Sequence, residues 1–157
     1  MNKFEQIITL GKSLGKNPII ACIGSTKDVG DSLGPIVGQL LVEKYTTDAI
    51  IVGTLTDPLH AINLTERINA TIKHYPKSKV LAVDACNFLE NKDCVRIIRG
   101  GIKPGLASGK DLPRVGNFSI VASSYKFGGK THCLGKIYLL ADKIAKLINF
   151  IVSQSTL

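Results

Sequence analysis

The stretch ACIGSTKDVGDSLGPIVGQLL, residues 21–41, begins as an apolar strand and ends as an amphipathic helix. NPIIACIG, residues 17–24, is apolar on both faces, which is typical of a central parallel strand covered on both sides. SLGPIVGQLLVEKY, residues 32–45, has helical apolar spacing, and Pro35 is tolerated in the first turn. The stretch therefore predicts a strand–loop–helix unit with the carboxylate of Asp31 in its glycine-containing loop.

The rest of the chain predicts a doubly wound sheet. Buried strands are expected at residues 48–55 and 79–85 with a helix at residues 60–75 between them, an order that requires right-handed crossovers and parallel strands. Residues 94–101 follow too closely for a crossover helix, so this strand is expected to be antiparallel or at an edge. A helix near the start, a fifth strand at residues 117–124 and a closing helix at residues 134–153 complete the pattern. We expect one domain, residues 1–157, folded as a three-layer α/β/α sandwich with a mixed, mostly parallel sheet.

Composition narrows the class of protein. The chain is 45% hydrophobic and 20% charged, an ordinary globular profile. Its net charge of +8 favours acidic partners: nucleic acid, anionic lipid or an acidic protein. The basic residues are scattered without interleaved aromatics, so nucleic acid is not favoured. The four cysteines show no C-x-x-C spacing, no signal peptide is evident, and no apolar run approaches the roughly 20 residues that span a bilayer. We therefore expect a cytoplasmic protein without a membrane partner.

Two acids are expected to meet at one edge of the sheet. Ligands of doubly wound sheets bind beyond the carboxyl ends of the strands, where the strand order reverses. If the first strand lies between the second and the third, this point separates the first from the third. Asp31 follows the first strand and Asp84 ends the third. The topology therefore predicts that the two carboxyl groups share one crevice.

The two acids are expected to differ in pKa. Asp31 precedes a helix, where the macrodipole favours the anion, whereas Asp84 ends an apolar strand, where desolvation favours the protonated form. Such a pair can divide the acid and base roles of water-mediated hydrolysis. The alternative for Asp31 is an N-cap of the following helix, and an aspartate at a strand end often caps a turn.

Four segments carry a resemblance to a known family. GDSLGP (residues 30–35), GTLTDPLHAINL (residues 53–64), VDAC (residues 83–86) and GGIKPGLASGKDLPRVGNFSI (residues 100–120) resemble the YyaC family of sporulation proteins. That family is similar to the germination protease of spore-forming bacteria. The wider group includes the endopeptidases that mature hydrogenases and shares a phosphorylase/hydrolase-like α/β/α fold.

The resemblance implies a function and a set of site residues. It implies an aspartic-type catalytic pair at Asp31 and Asp84, and a loop beside the site formed by residues 102–105. A protease of this kind would act on small acid-soluble spore proteins in the cytoplasm of the mother cell or forespore. The substrate-binding residues that we expect are Thr54, Asp57, His60, Lys103, Pro104 and Gly105.

Alternatives remain open for the site and for the function. His60 could join Asp31 and Asp84 around a divalent metal, although a helix-start histidine with Asp57 as cap is the simpler interpretation. The sequence contains neither G-x-x-x-x-G-K-[ST] nor G-x-G-x-x-G, the two glycine motifs that bind the phosphates of nucleotides. We expect neither a cofactor nor a metal. Residues 24–31 read GSTKDVGD where the family usually reads GTDRSTGD. This departure motivates the alternative of a non-catalytic binding or regulatory protein on the same fold; a metal-dependent hydrolase is the third possibility.

Overall fold

The computed structural model describes residues 1–86, 94–104, 112–123 and 133–155. These ranges contain five strands and four α-helices. The strands are β1 (Ile19–Cys22), β2 (Ile50–Val52), β3 (Val80–Ala85), β4 (Cys94–Arg99) and β5 (Phe118–Ser123); the helices are α1 (Lys3–Leu14), α2 (Leu33–Glu43), α3 (Leu64–His74) and α4 (Leu134–Gln154).

The strands form a single sheet in the order β2-β1-β3-β5-β4. All neighbouring pairs are parallel except β4 and β5, and β4 lies at an edge of the sheet. The predicted mixed, mostly parallel sheet is confirmed, as is the position of β1 between β2 and β3. The chain order therefore reverses between β1 and β3, and the loops that leave these two strands begin at the same edge.

Two apolar clusters cover the two faces of the sheet. One contains buried side chains of α1, α2 and α4, among them Leu14, Leu41 and Ile148. The other contains Leu64 and Ile68 of α3, together with Val115 from the segment before β5. Three helices thus cover one face, and one helix with the segment around Val115 covers the other. None of the helices in the described ranges is long and apolar enough to cross a membrane.

Helix α3 begins at Leu64, four residues later than the prediction from the sequence. The intervening segment is held by local hydrogen bonds: the side chain of Asn63 accepts from the backbone N–H of His60 at 2.9 Å, and the backbone N–H of Leu64 donates to the carbonyl of His60. The side chain of Asn63 therefore stabilises a turn that the apolar periodicity does not show.

Glycines allow α2 to pack directly on the backbone at the end of β1. A Cβ atom at Gly34 would overlap the carbonyl of Ile23, and one at Gly38 would overlap the carbonyl of Gly53. Gly53 itself has a φ of +99°, in the region that favours glycine. The contact is between backbone atoms, so no side-chain rotation could make room for a larger residue.

We predict that Gly38→Ala destabilises the fold by about 1–3 kcal/mol, because the new methyl group forces α2 away from the backbone of Gly53, just after β2. The matched control is Gly135→Ala in the first turn of α4, where the nearest atom to a new Cβ is the Sγ of Cys133 at 3.8 Å. Alanine should stabilise the helix there by about 0.5–1 kcal/mol. Urea denaturation measures both changes, and equal stability of the two variants would contradict the packing described for α2.

Candidate functional site

The loop after β1 is fixed by backbone hydrogen bonds to three parts of the chain. The N–H of Ile23 donates to the carbonyl of Val83 at 2.8 Å, and the N–H of Gly24 donates to that of Leu59 at 3.0 Å. The N–H of Ser25 donates to the carbonyl of Asp31 at 3.0 Å, which closes the loop. Asp31 is therefore held beside the end of β1 by its own backbone.

The cap position of α2 belongs to Ser32, which makes no side-chain capping bond there. The carboxylate that caps the preceding 3-10 turn, Val29–Asp31, is that of Asp28, whose Oδ1 accepts from the N–H of Gly30 at 2.8 Å. Asp31 thus holds neither cap, and its side chain is exposed at the carboxyl-terminal edge of the sheet. The N-cap interpretation of Asp31 is wrong in this structure.

Asp84 lies near the end of β3, half-buried between β1 and β5. Alternation along the strand gives its side chain the same sheet face as Ala82, which belongs to the cluster under α3. Burial, together with the smaller effect of the negative charge of Asp31, raises the pKa of Asp84 from 3.8 to about 7. The backbone N–H of Ala85, which donates to this carboxylate, acts in the opposite direction.

The two acids are close enough for the charge of one to change the ionisation of the other. The sequence-based prediction that desolvation raises the pKa of Asp84 agrees with the structure. With this pKa near neutrality, a large fraction of Asp84 carries a proton at pH 7, within reach of the negative charge of Asp31. A neutral carboxylic acid beside a carboxylate can donate one proton and accept another in a single reaction.

The segment that contains Thr54, Asp57 and His60 lies next to the loop after β1, to which Leu59 is bonded. Asp57 is not a helix cap: both of its carboxylate oxygens pair with Arg67 of α3, at 3.2 and 2.9 Å. The Oγ1 of Thr54 accepts from the N–H of Asp57 at 3.2 Å. The predicted cap at Asp57 is therefore wrong, and the ion pair fastens this segment to α3.

The Nδ1 atom of His60 accepts from the backbone N–H of Ile62 at 3.3 Å, so one ring nitrogen has a local structural role. Within the four described ranges, no three histidine, cysteine or acidic side chains group closely enough to hold a metal ion. His60, Asp31 and Asp84 therefore do not form the three-ligand site considered as an alternative.

Lys103 and Pro104 follow β4, which runs antiparallel to its neighbour. Because Arg99 pairs with Phe118, β4 ends beside the start of β5, at the edge opposite Asp84. Ile102 and Val115 then exchange backbone hydrogen bonds of 3.0 and 2.8 Å. Lys103 is exposed and Pro104 is buried. Their role in binding stays a prediction; Gly105 lies outside the described residues.

Sequence reasoning missed the position of Arg96. Asp84 and Arg96 both pair with Val121 from opposite sides, so the three residues form one row across the sheet, with their side chains on the same face. In the sequence alone, Arg96 is one of many scattered basic residues. The alternation of CVRIIR could have placed it on this face, but only once the register with β5 was known.

A cavity of about 530 Å³ lies at the amino-terminal edge of the sheet, lined in part by Lys16, Thr46 and Asn149. Neither Asp31 nor Asp84 contributes to its wall. The paired acids, rather than this cavity, form the candidate site, because they lie where the strand order reverses and carry the perturbed ionisation.

Comparison with known proteins identifies the family of the chain. The family model described as "Protein of unknown function (DUF1256)" matches residues 2–153. The chain belongs to this family. It is 41% identical over 113 residues to a protein of Bacillus subtilis (strain 168) named "Uncharacterized protein YyaC"; the match covers 71% of this chain and 55% of that protein. The chain thus spans about half the length of this curated relative, and the YyaC-type resemblance predicted from the sequence is confirmed.

Among solved structures, the chain is similar to a [NiFe] hydrogenase maturation protease, HycI, from Thermococcus kodakarensis KOD1. The TM-score is 0.56 at 20% identity, and the similarity covers 93% of this chain and 99% of the other. At this level of identity the likeness concerns the fold alone. The chain therefore shares the α/β fold of HycI.

We predict that Asp84→Asn stabilises the protein on the alkaline side of about pH 7. Folding raises the pKa of Asp84 from 3.8 to about 7, so the folded state binds more protons than the unfolded state between these two pH values. The stability of the wild type therefore falls as the pH rises through this window. An uncharged amide avoids this cost, which is about 2–4 kcal/mol for a shift of this size.

Urea denaturation across that pH window measures the effect, and the difference between wild type and Asp84→Asn should vanish towards pH 3.8. Asp48→Asn, which changes an exposed carboxylate at the opposite edge, is the matched control. A wild-type stability that rises with pH as much as that of Asp84→Asn would contradict the burial cost at Asp84.

Proposed function

We propose that this protein is a peptidase-like hydrolase in which Asp31 and Asp84 activate a water molecule. The observation that carries the proposal is the pair itself: a half-buried carboxyl group with a pKa of about 7 interacts electrostatically with a second carboxyl group at the point where the strand order reverses. Perturbed acids in this position are typical of active sites. The protease fold shared with HycI supports the same reaction class by analogy.

In the proposed mechanism the pair shares one proton. Asp31, exposed at the mouth of the crevice, removes a proton from water as the water attacks the peptide carbonyl. Asp84 gives its proton to the carbonyl oxygen as negative charge develops there, because its half-buried position favours the neutral acid in the resting state. As the C–N bond of the tetrahedral intermediate breaks, Asp31 gives its proton to the leaving nitrogen and a hydroxyl of the intermediate returns a proton to Asp84, which restores the pair. The two groups titrate together, so an apparent pKa belongs to the pair.

The proposed substrates are small acid-soluble spore proteins or proteins of similar character. This proposal rests on the YyaC-type sequence and on the likeness of that family to the germination protease. The net charge of +8 favours an acidic protein as the substrate. The site of action would be the cytoplasm of the mother cell or forespore.

The test is cleavage of a purified small acid-soluble spore protein, followed by gel electrophoresis and mass spectrometry. We expect Asp31→Asn and Asp84→Asn each to lower the rate by about 10²–10⁴-fold, since each removes one partner of the proton transfer. Asp48→Asn should cleave at the wild-type rate. The wild-type rate should fall as the pH rises through about 7, where Asp84 loses its proton.

Three results would contradict this mechanism. Full activity in both site variants would remove the two aspartates from the chemistry. Stable co-elution with the spore protein and no fragments would favour the binding or regulatory alternative. Loss of cleavage on chelation, with recovery on adding one ion, would favour metal-dependent hydrolysis.

A further inference from the structure

The outward face of α4 carries large apolar side chains between lysines. Leu139 is 63% exposed and Phe150 is 41% exposed, whereas Ile144 and Ile148 on the opposite side of the helix are buried. Lys143 and Lys146 are exposed between them, and the spacing of four, three and four residues sets all four outward side chains in one row. Globular proteins usually fill this face of a surface helix with polar residues.

The same surface continues onto the start of α1. Phe4 is 60% exposed, and its ring centroid lies 6.4 Å from that of Phe150. Lys3 is exposed beside it. The surface made by Lys3, Phe4, Leu139, Lys143, Lys146 and Phe150 is called the α1–α4 face below.

The charge of the α1–α4 face is positive. The acids in the sequences of α1 and α4 are Glu5 and Asp142. Asp142 pairs with Lys44 at 3.0 Å and accepts from the hydroxyl of Tyr45 at 2.8 Å, so it is directed towards α2. Glu5 accepts from the backbone N–H of Asn2 in the capping box of α1. Both acids have local partners, and Asp142 also interacts electrostatically with Lys146. The two helices carry five lysines against these two acids, so the face keeps a positive charge.

We propose that the α1–α4 face docks on the surface of an anionic lipid bilayer. Lysines attract acidic headgroups, while leucine and phenylalanine side chains enter the boundary between headgroups and acyl chains. A second copy of the chain is disfavoured because lysines would face lysines. Nucleic acid would leave the exposed Leu139 and Phe150 without apolar contacts.

From the sequence we expect no membrane partner, because no apolar run is long enough to span a bilayer. Docking on the surface of a bilayer does not require such a run. It is also independent of the proposed hydrolase activity. The side chain of Asp84 points to the sheet face under α3, whereas the α1–α4 face lies on the layer that covers the other face. A protein docked in this way keeps its candidate site open to substrate.

Vesicle sedimentation at low salt tests the proposal. It compares binding to vesicles of phosphatidylglycerol and phosphatidylcholine in equal parts with binding to vesicles of phosphatidylcholine alone. We expect binding to the acidic vesicles only, weakened about thirtyfold or more in the double variant Lys143→Glu/Lys146→Glu. The control Lys73→Glu/Lys77→Glu changes the net charge equally, at two exposed lysines in and just after α3 on the other layer. It should weaken binding less than about threefold. Thermal unfolding verifies that both variants fold.

Tryptophan fluorescence gives a second readout, because the chain has no tryptophan of its own. Leu139→Trp should shift its emission to the blue with acidic vesicles, whereas Ile62→Trp, at a position 87% exposed near the start of α3, should not. Three results would each overturn the proposal: no preference for acidic vesicles, equal losses of binding in the two lysine variants, or no emission shift at position 139. An acidic protein would then be the partner to examine.

Discussion

The close packing of α2 on the end of β1 fixes where Asp31 lies relative to Asp84. Gly34 lets the helix backbone touch Ile23, just after β1, and Gly38 lets it touch Gly53, just after β2. The carbonyl of Asp31 closes the loop between β1 and α2 by accepting from the N–H of Ser25. Asp84 is placed by the sheet itself, since β3 lies between β1 and β5. Two rigid elements thus bring together two acids that are far apart in the chain, which is the condition for any shared chemistry.

The sequence predicts the fold well because each element carries a strong periodic signal. The parallel strands are continuous apolar runs, and the short connection before β4 correctly indicates an antiparallel edge strand. The proximity of Asp31 and Asp84 follows from topology alone, since the strand order of a doubly wound sheet brings the ends of β1 and β3 side by side. The raised pKa of Asp84 follows from its place at the end of an apolar strand.

What the sequence could not provide depends on side-chain geometry and register. An aspartate before a helix predicts a cap, but whether Asp28, Asp31 or Ser32 holds that position depends on the turn that forms. Likewise, Asp57 pairs with Arg67, ten residues later, rather than capping α3. The alignment of Arg96 with Asp84 requires the pairing of both strands with β5. Each of these is a choice among several local options of similar free energy.

The fold and the function stand on different observations. A sheet shared at 20% identity with a hydrogenase maturation protease establishes the architecture, and architectures of this kind carry many activities. The residues of this chain supply two features that the architecture does not dictate: a coupled pair of acids at one edge and a basic, partly apolar face on one helical layer. The pair of acids bears on the proposed reaction, and the basic face bears on where the protein would bind. Each proposal can be tested without the other.

The most direct test of the central claim is a ¹³C NMR titration of the Asp84 carboxyl group, in the wild type and in Asp31→Asn. If the two groups share one crevice, the wild-type pKa lies near 7 and falls in the variant, while burial keeps it above the ordinary value of 3.8. A pKa of Asp84 that is unchanged by Asp31→Asn, or that lies near 3.8 in the wild type, would contradict the coupled pair on which the proposed hydrolysis depends.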